Sequence, residues 1–104
     1  MFKAAAAFYP PCANLAGAKL DIPTLILIGA KDEVTPAEDC SRLAKQQSPG
    51  MVKLVIYPGA AHGFDIREFG AGTRVMGMLL AYDRNAAQRS WAELRSFLAG
   101  RLAR

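Results

Sequence analysis

Two ionisable side chains stand just past the ends of two apolar strand-like runs, where an open parallel α/β sheet places its ligands. Asp32 lies three residues beyond the run Pro23–Gly29, and His62 lies five residues beyond Tyr57, which closes the run Val52–Tyr57. His62 is the chain's only histidine and is flanked by Gly59, Ala60, Ala61 and Gly63. Neighbours this small let the loop fold tightly and leave an imidazole open. A carboxylate beside that imidazole would fix its tautomer and steady the imidazolium formed when it takes a proton, the work of a general base. Singly, Asp32 reads as a loop acid ahead of a helix and His62 as a structural loop histidine. The pair, at matching strand ends, carries the functional reading.

The elements that must position this pair are legible from pattern. Residues 4–9, AAAAFY, form a short apolar run stopped by Pro10-Pro11 and read as a strand. Residues 12–22 form a connector. Pro23–Gly29 is continuously apolar and bounded by Pro and Gly, as a parallel strand buried on both faces requires. Thr35-Pro36-Ala37-Glu38 has the form of a capping box, with Thr35 as N-cap. The helix it opens would bury Ala37, Cys40, Leu43 and Ala44 and stop at Ser48-Pro49-Gly50. Val52–Tyr57 is a further strand. Residues 58–82 are a long Gly-rich segment, whose apolar middle Val75–Ala81 is expected as core packing, in a turn of helix or a flap. A last helix is expected from an N-cap at Asp83 to about Leu102, burying Ala87, Trp91, Leu94, Leu98 and Leu102 with Phe97 beside them. The alternation predicts an α/β fold: a three-stranded parallel sheet with flanking helices, in one domain over residues 1–104.

Several of these segments resemble the dienelactone hydrolase branch of the α/β-hydrolases. Gly29-Ala-Lys-Asp32-Glu-Val-Thr-Pro36 resembles that family's acid-bearing turn, and Tyr57-Pro-Gly-Ala-Ala-His62-Gly-Phe64 its histidine turn. Ala7-Phe8-Tyr9-Pro10 resembles the strand that follows the nucleophile helix. Tyr82-Asp83, Ala86-Ala87 and Trp91 resemble the start of the closing helix. The resemblance covers nearly the whole chain in the family's order and implies the C-terminal half of an α/β-hydrolase fold. It implies Asp32 as triad acid and His62 as general base, in the hydrolysis of an ester, lactone or thioester through an acyl-enzyme.

The chain also departs from that pattern. The family's nucleophile elbow, G-x-[CS]-x-G, occurs nowhere in it; the segment Gly59–Gly63 carries Ala61 where a nucleophile would stand. Ser41, Ser48, Ser90 and Ser96 fall within or at the ends of expected helices. The family's carboxylate-binding Arg, four residues after the histidine, is here Ile66, with Arg67 one further on, which bears on whether a substrate carries a carboxylate. Two functional readings follow: one part of a hydrolase whose nucleophile comes from elsewhere, or a catalytically silent truncated domain acting as an association module. In the second, the strand at residues 4–9 would present an apolar edge and pair with another copy in a homo-oligomer.

Composition narrows the remaining choices. Of 104 residues, 52% are hydrophobic and the net charge is +4, which excludes a disordered chain. Apolar runs reach only about seven residues, far short of the ~20 of a helical membrane span. Arg84, Arg89, Arg95, Arg101 and Arg104 are spread along the last helix and read as its solvated face, so no nucleic-acid partner is expected. Cys12 and Cys40 form no CxxC and no cluster with histidine, so neither a disulfide scaffold nor a zinc site is expected; Cys12 reads as a pocket or core thiol in preference to a nucleophile, and Cys40 as core. Two lone cysteines and the lack of a leader pattern suggest a cytoplasmic setting. No cofactor is implied: there is neither G-x-G-x-x-G nor a P-loop.

Overall fold

The computed structural model describes residues 3–102. Strands β1 (Ala5–Phe8), β2 (Thr24–Gly29) and β3 (Val52–Tyr57) form a parallel sheet in the order β1-β2-β3. Ala5 pairs with Thr24 and Phe8 with Leu27 on one side of β2; Thr24 pairs with Val52 and Gly29 with Tyr57 on the other. The first strand is thus the inner part of the expected 4–9 run. β2 is central, and alternation sends its side chains to two cores. Leu25 and Leu27 pack with Tyr57, Phe64, Ala86 and Phe97, while Ile26 and Ile28 pack with Cys12, Cys40 and Leu43. A strand apolar at every position has two apolar faces to cover, and helices α1 (Ala37–Lys45) and α2 (Arg84–Leu102) cover one each.

α1 bears Glu38 and Asp39 in its first turn and Arg42 and Lys45 in its last, which complements the helix dipole. It has no side-chain cap, however. Thr35 is not its N-cap; that position is Pro36, and the Thr35 hydroxyl is engaged elsewhere. Forgoing a hydroxyl cap costs about 1 kcal/mol. Beyond α1, buried Gln47 fastens the 16–22 connector: its Nε2 donates to Ala18 O at 2.8 Å and its Oε1 accepts from Leu20 N at 2.8 Å.

The Gly-rich segment holds a hairpin instead of a helical turn. Strand β4 (Thr73–Val75) pairs antiparallel with β5 (Met78–Leu80). Met76 and Gly77 between them both have positive φ, 52° and 81°, as a two-residue type I′ turn demands. Met76 is 91% exposed and Val75 is exposed too, so this end of the apolar stretch is not core. α2 begins as expected, with Asp83 Oδ1 accepting from Ala86 N at 3.0 Å. Its buried positions are Ala86, Ala87, Ser90 and Phe97, with Leu94 and Leu98 half-buried. Trp91 is 46% exposed, against expectation, because it lies over Phe8 of the outer strand β1, with ring centroids 5.4 Å apart. The side chain of Leu102 lies outside the described residues.

The largest correction concerns the cysteines. After Pro10-Pro11 the chain makes a 3-10 turn, Cys12–Leu15, folded onto the α1 face of the sheet, and Cys12 is disulfide-bonded to Cys40 of α1. Their Cα atoms are 5.0 Å apart across a sequence separation of 28, which no local pattern announces. The bond removes the reduced-thiol premise behind the cytoplasmic expectation. No helix among the described residues is long and apolar enough to cross a membrane.

Closing a loop of this length contributes on the order of 3–4 kcal/mol by restricting the unfolded chain. Reduction, or replacement of both cysteines by serine, is therefore expected to lower the unfolding free energy by about 3 kcal/mol in a urea titration. An unchanged midpoint under reductant would show that the thiols are not joined.

Candidate active site

The sheet's carboxyl edge is built by the close approach of two turns. A Cβ on Gly29, at the end of β2, would sit 2.1 Å from the carbonyl oxygen of Ala60, so only glycine fits there. Ala30 N donates to Tyr57 O at 2.9 Å and Lys31 N donates to Ala60 O at 2.9 Å. These contacts lock the turn after β2 to the turn after β3. Phe64, fully buried among the rings of Phe8, Tyr9 and Tyr57, anchors the far side of the second turn.

The lock brings Asp32 and His62 together. Asp32 Oδ2 lies 2.8 Å from His62 Nδ1. The other carboxylate oxygen, Oδ1, accepts from the backbone N–H groups of Val34 at 2.8 Å and Thr35 at 2.7 Å, closing an Asx turn that fixes the side chain. Asp32 is 7% exposed, whereas the His62 side chain is 20% exposed. The hydrogen-bond network assigns the proton on Nδ1, donated to Asp32; Nε2 has no protein partner among the described residues. The His62 main chain is held as well, bridged to Leu80 of β5, with its carbonyl accepting from Ala81 N at 3.3 Å.

Three neighbours complete the site that sequence reasoning did not single out. Thr35 Oγ1 lies 3.2 Å from Asp32 Oδ2, 3.3 Å from His62 Nδ1 and 3.2 Å from Tyr9 O. Tyr9, at the end of β1, packs its ring on the imidazole with centroids 4.4 Å apart and donates its hydroxyl to Asp65 Oδ1 at 2.7 Å. Its φ of 40° is unusual for a non-glycine residue, a backbone state held by its surroundings. Burial, the bond to Asp65 and the charges of Asp65 and Asp32 push the Tyr9 phenol well above its ordinary value, so it remains a donor throughout the neutral range. The third neighbour is Glu33, whose Oε1 accepts from Leu79 N at 3.1 Å and ties the β4–β5 hairpin to the acid turn. Thr35 and Tyr9 do lie within the segments quoted for the family resemblance. Their roles carry no sequence signal, because each depends on atoms from other strands.

The other nucleophile candidates are placed elsewhere. Cys12 is buried and disulfide-bonded, and buried Ser90 donates its hydroxyl to Ala87 O within α2 at 2.8 Å. Among the described residues no group of three His, Cys, Asp or Glu side chains could hold a metal ion. The arrangement is suited to proton transfer at Nε2: Asp32 orients the ring through Nδ1 and faces the positive charge that protonation creates.

A three-stranded parallel sheet between two helices, with an Asp–His contact at its carboxyl edge, is an α/β fold compatible with the α/β-hydrolases. The chain matches the family model described as Dienelactone hydrolase family over residues 1–102 and belongs to that family. No curated protein matches it.

Since a Cβ at position 29 would overlap a backbone oxygen, Gly29→Ala is expected to cost about 3 kcal/mol and to part the two turns. Chemical denaturation reads the first effect, and loss of the Asp32–His62 hydrogen bond by nuclear magnetic resonance reads the second. Wild-type stability in this variant would mean that the turns are not pressed together.

Proposed function

We propose that this chain supplies the acid and base of a dienelactone-hydrolase-like site cleaving ester, lactone or thioester bonds, a carboxylesterase chemistry. The observation that carries the reading is the 2.8 Å contact of Asp32 Oδ2 with His62 Nδ1 at the ends of β2 and β3. In it His62 Nε2 takes a proton from a Ser or Cys nucleophile supplied from outside these 104 residues and returns it to the leaving group, while Asp32 holds the ring and balances its charge. The chain is then a partial α/β-hydrolase domain whose substrate is a small-molecule ester or lactone. Such a site needs no cofactor.

The purified chain is expected to turn over simple aryl esters no faster than a His62→Ala control. Joined to a segment carrying a G-x-[CS]-x-G elbow it should gain activity, and His62→Ala should then remove on the order of 10⁴–10⁶ of it. Activity in the joined protein that is indifferent to His62 would defeat the assignment. Activity of the lone chain that disappears in Cys12→Ser but persists in Cys40→Ser, which lacks the same disulfide, would give the nucleophile's role to Cys12.

A second reading, association through the strand at residues 4–9, is supported by a different observation. β1 is an outer strand, Ala6 at its centre is exposed, and Trp91 lies open beside it. The chain exposes 6416 Å², against roughly 5,700 Å² for a compact domain of its mass. A two-fold pairing of β1 with a second copy would continue the sheet and cover this edge. Sedimentation at tens of micromolar is expected to show a dimer that Ala6→Lys weakens; a wild-type monomer at that concentration would refute the pairing.

A further inference from the structure

Thr35 precedes Pro-Ala-Glu and is placed in sequence to cap α1, yet its hydroxyl is turned inward. It lies within 3.3 Å of three polar atoms from three separate parts of the fold: Tyr9 O at the end of β1, Asp32 Oδ2 in the acid turn, and His62 Nδ1 in the histidine turn. A threonine hydroxyl has one proton and two lone pairs. Two of the three neighbours, Tyr9 O and Asp32 Oδ2, can only accept. The third, Nδ1–H, can only donate. All three therefore cannot be satisfied in one orientation, but the hydroxyl can turn between two.

We propose that Thr35 is a positioning residue for His62, a hydroxyl rotor that locks the Asp32–His62 pair in both charge states of the imidazole. This rests on the reading of His62 as a general base. With the ring neutral, the hydroxyl donates to Asp32 Oδ2 and shares the carboxylate with Nδ1–H. Once Nε2 takes a proton, the hydroxyl turns to donate to Tyr9 O, and a lone pair meets the Nδ1–H of the imidazolium. No covalent bond forms or breaks at Thr35; only its own proton changes acceptor. The first orientation holds the carboxylate and the second ties the pair to β1 through Tyr9 O, so in both the hydroxyl keeps hold of one partner and Nδ1 keeps its proton while the ring's charge changes. The Tyr9 ring, packed on the imidazole and anchored by its bond to Asp65, restricts the imidazole from one side. α1 goes without a side-chain cap, as expected if the hydroxyl is committed to the site.

The chain has one histidine, so its imidazole signals need no assignment. In the ¹⁵N-labelled full chain, long-range proton–nitrogen correlations are expected to show a single tautomer protonated at Nδ1, with a downfield Nδ1–H resonance. Thr35→Val keeps the shape of the side chain and removes the hydroxyl. It is expected to mix the tautomers and to speed exchange of the Nδ1 proton with water at least tenfold, and Thr35→Ser should restore both. An Nδ1–H lifetime in Thr35→Val equal to wild type overturns the proposal. If Thr35→Val does not fold, the wild-type protein decides: a nuclear Overhauser contact between the Nδ1 proton and the Thr35 side chain supports the rotor, and its absence refutes it. The readout requires no substrate, so failure of the hydrolase reading is separate. That failure appears as a joined protein with activity indifferent to His62, whatever the spectra show.

Discussion

The site depends on one close approach, that of the Gly29 backbone to the Ala60 carbonyl. Parallel strands β2 and β3 end side by side, but sheet pairing stops at Gly29 and Tyr57. Past that point the chains would diverge, since each leads to its own helix or loop. Two backbone hydrogen bonds from Ala30 and Lys31 carry the association on to Lys31 on one side and Ala60 on the other, and they can form only because position 29 has no side chain. Asp32 and His62 inherit their proximity from this contact. Side-chain attraction between them is a consequence of that placement more than its cause, because the Asx turn at Asp32 and the Phe64 anchor beside His62 set each residue independently.

Around this contact the polar groups are satisfied in layers. Asp32 spends one oxygen on its own turn and the other on the imidazole and Thr35. Among the described residues no buried side-chain nitrogen or oxygen lacks a partner. That matters in a site this sheltered, where an unpaired polar atom costs more than a made hydrogen bond contributes. The same network reaches β1 through Tyr9, so the outer strand is part of the site although it contributes neither acid nor base. The Cys12–Cys40 bond reinforces that link, since Cys12 follows Tyr9 by three residues and Cys40 follows Thr35 by five. One covalent bond thus ties the segments that hold two of the three atoms around the Thr35 hydroxyl.

Among the described residues the most exposed large apolar side chains are Met76 and Val75 of the hairpin and Trp91 beside β1. Trp91 and Phe8 meet at the outer edge of the sheet, and Met76 projects from the β4–β5 turn. Opposite them, β3 is fastened to α2 by the Lys53–Glu93 ion pair at 2.6 Å, and Arg89 lies over the Tyr57 ring. The two outer strands thus meet α2 differently: β3 through the Lys53–Glu93 pair and the Arg89–Tyr57 contact, and β1 through the Trp91–Phe8 ring contact.

The sequence alone determined the order of the three parallel strands and two helices, the central strand buried on both faces, the Asp83 cap, and Asp32 and His62 at matching strand ends. Each follows from local physics: continuous apolarity, Pro and Gly boundaries, capping chemistry and the rule that ligands sit at strand carboxyl ends. Tertiary structure alone decided the rest. The disulfide joins residues 28 apart, brought together by a 3-10 turn that no periodicity encodes. The Met76-Gly77 hairpin depends on backbone angles that an apolar run conceals. Trp91 is open because the sheet ends beneath it, which a helical stripe cannot reveal. Thr35 reads as a helix cap on its own segment and becomes a site residue only when Tyr9 and His62 arrive from elsewhere, since a hydroxyl bonds whichever stronger partners the fold brings to it.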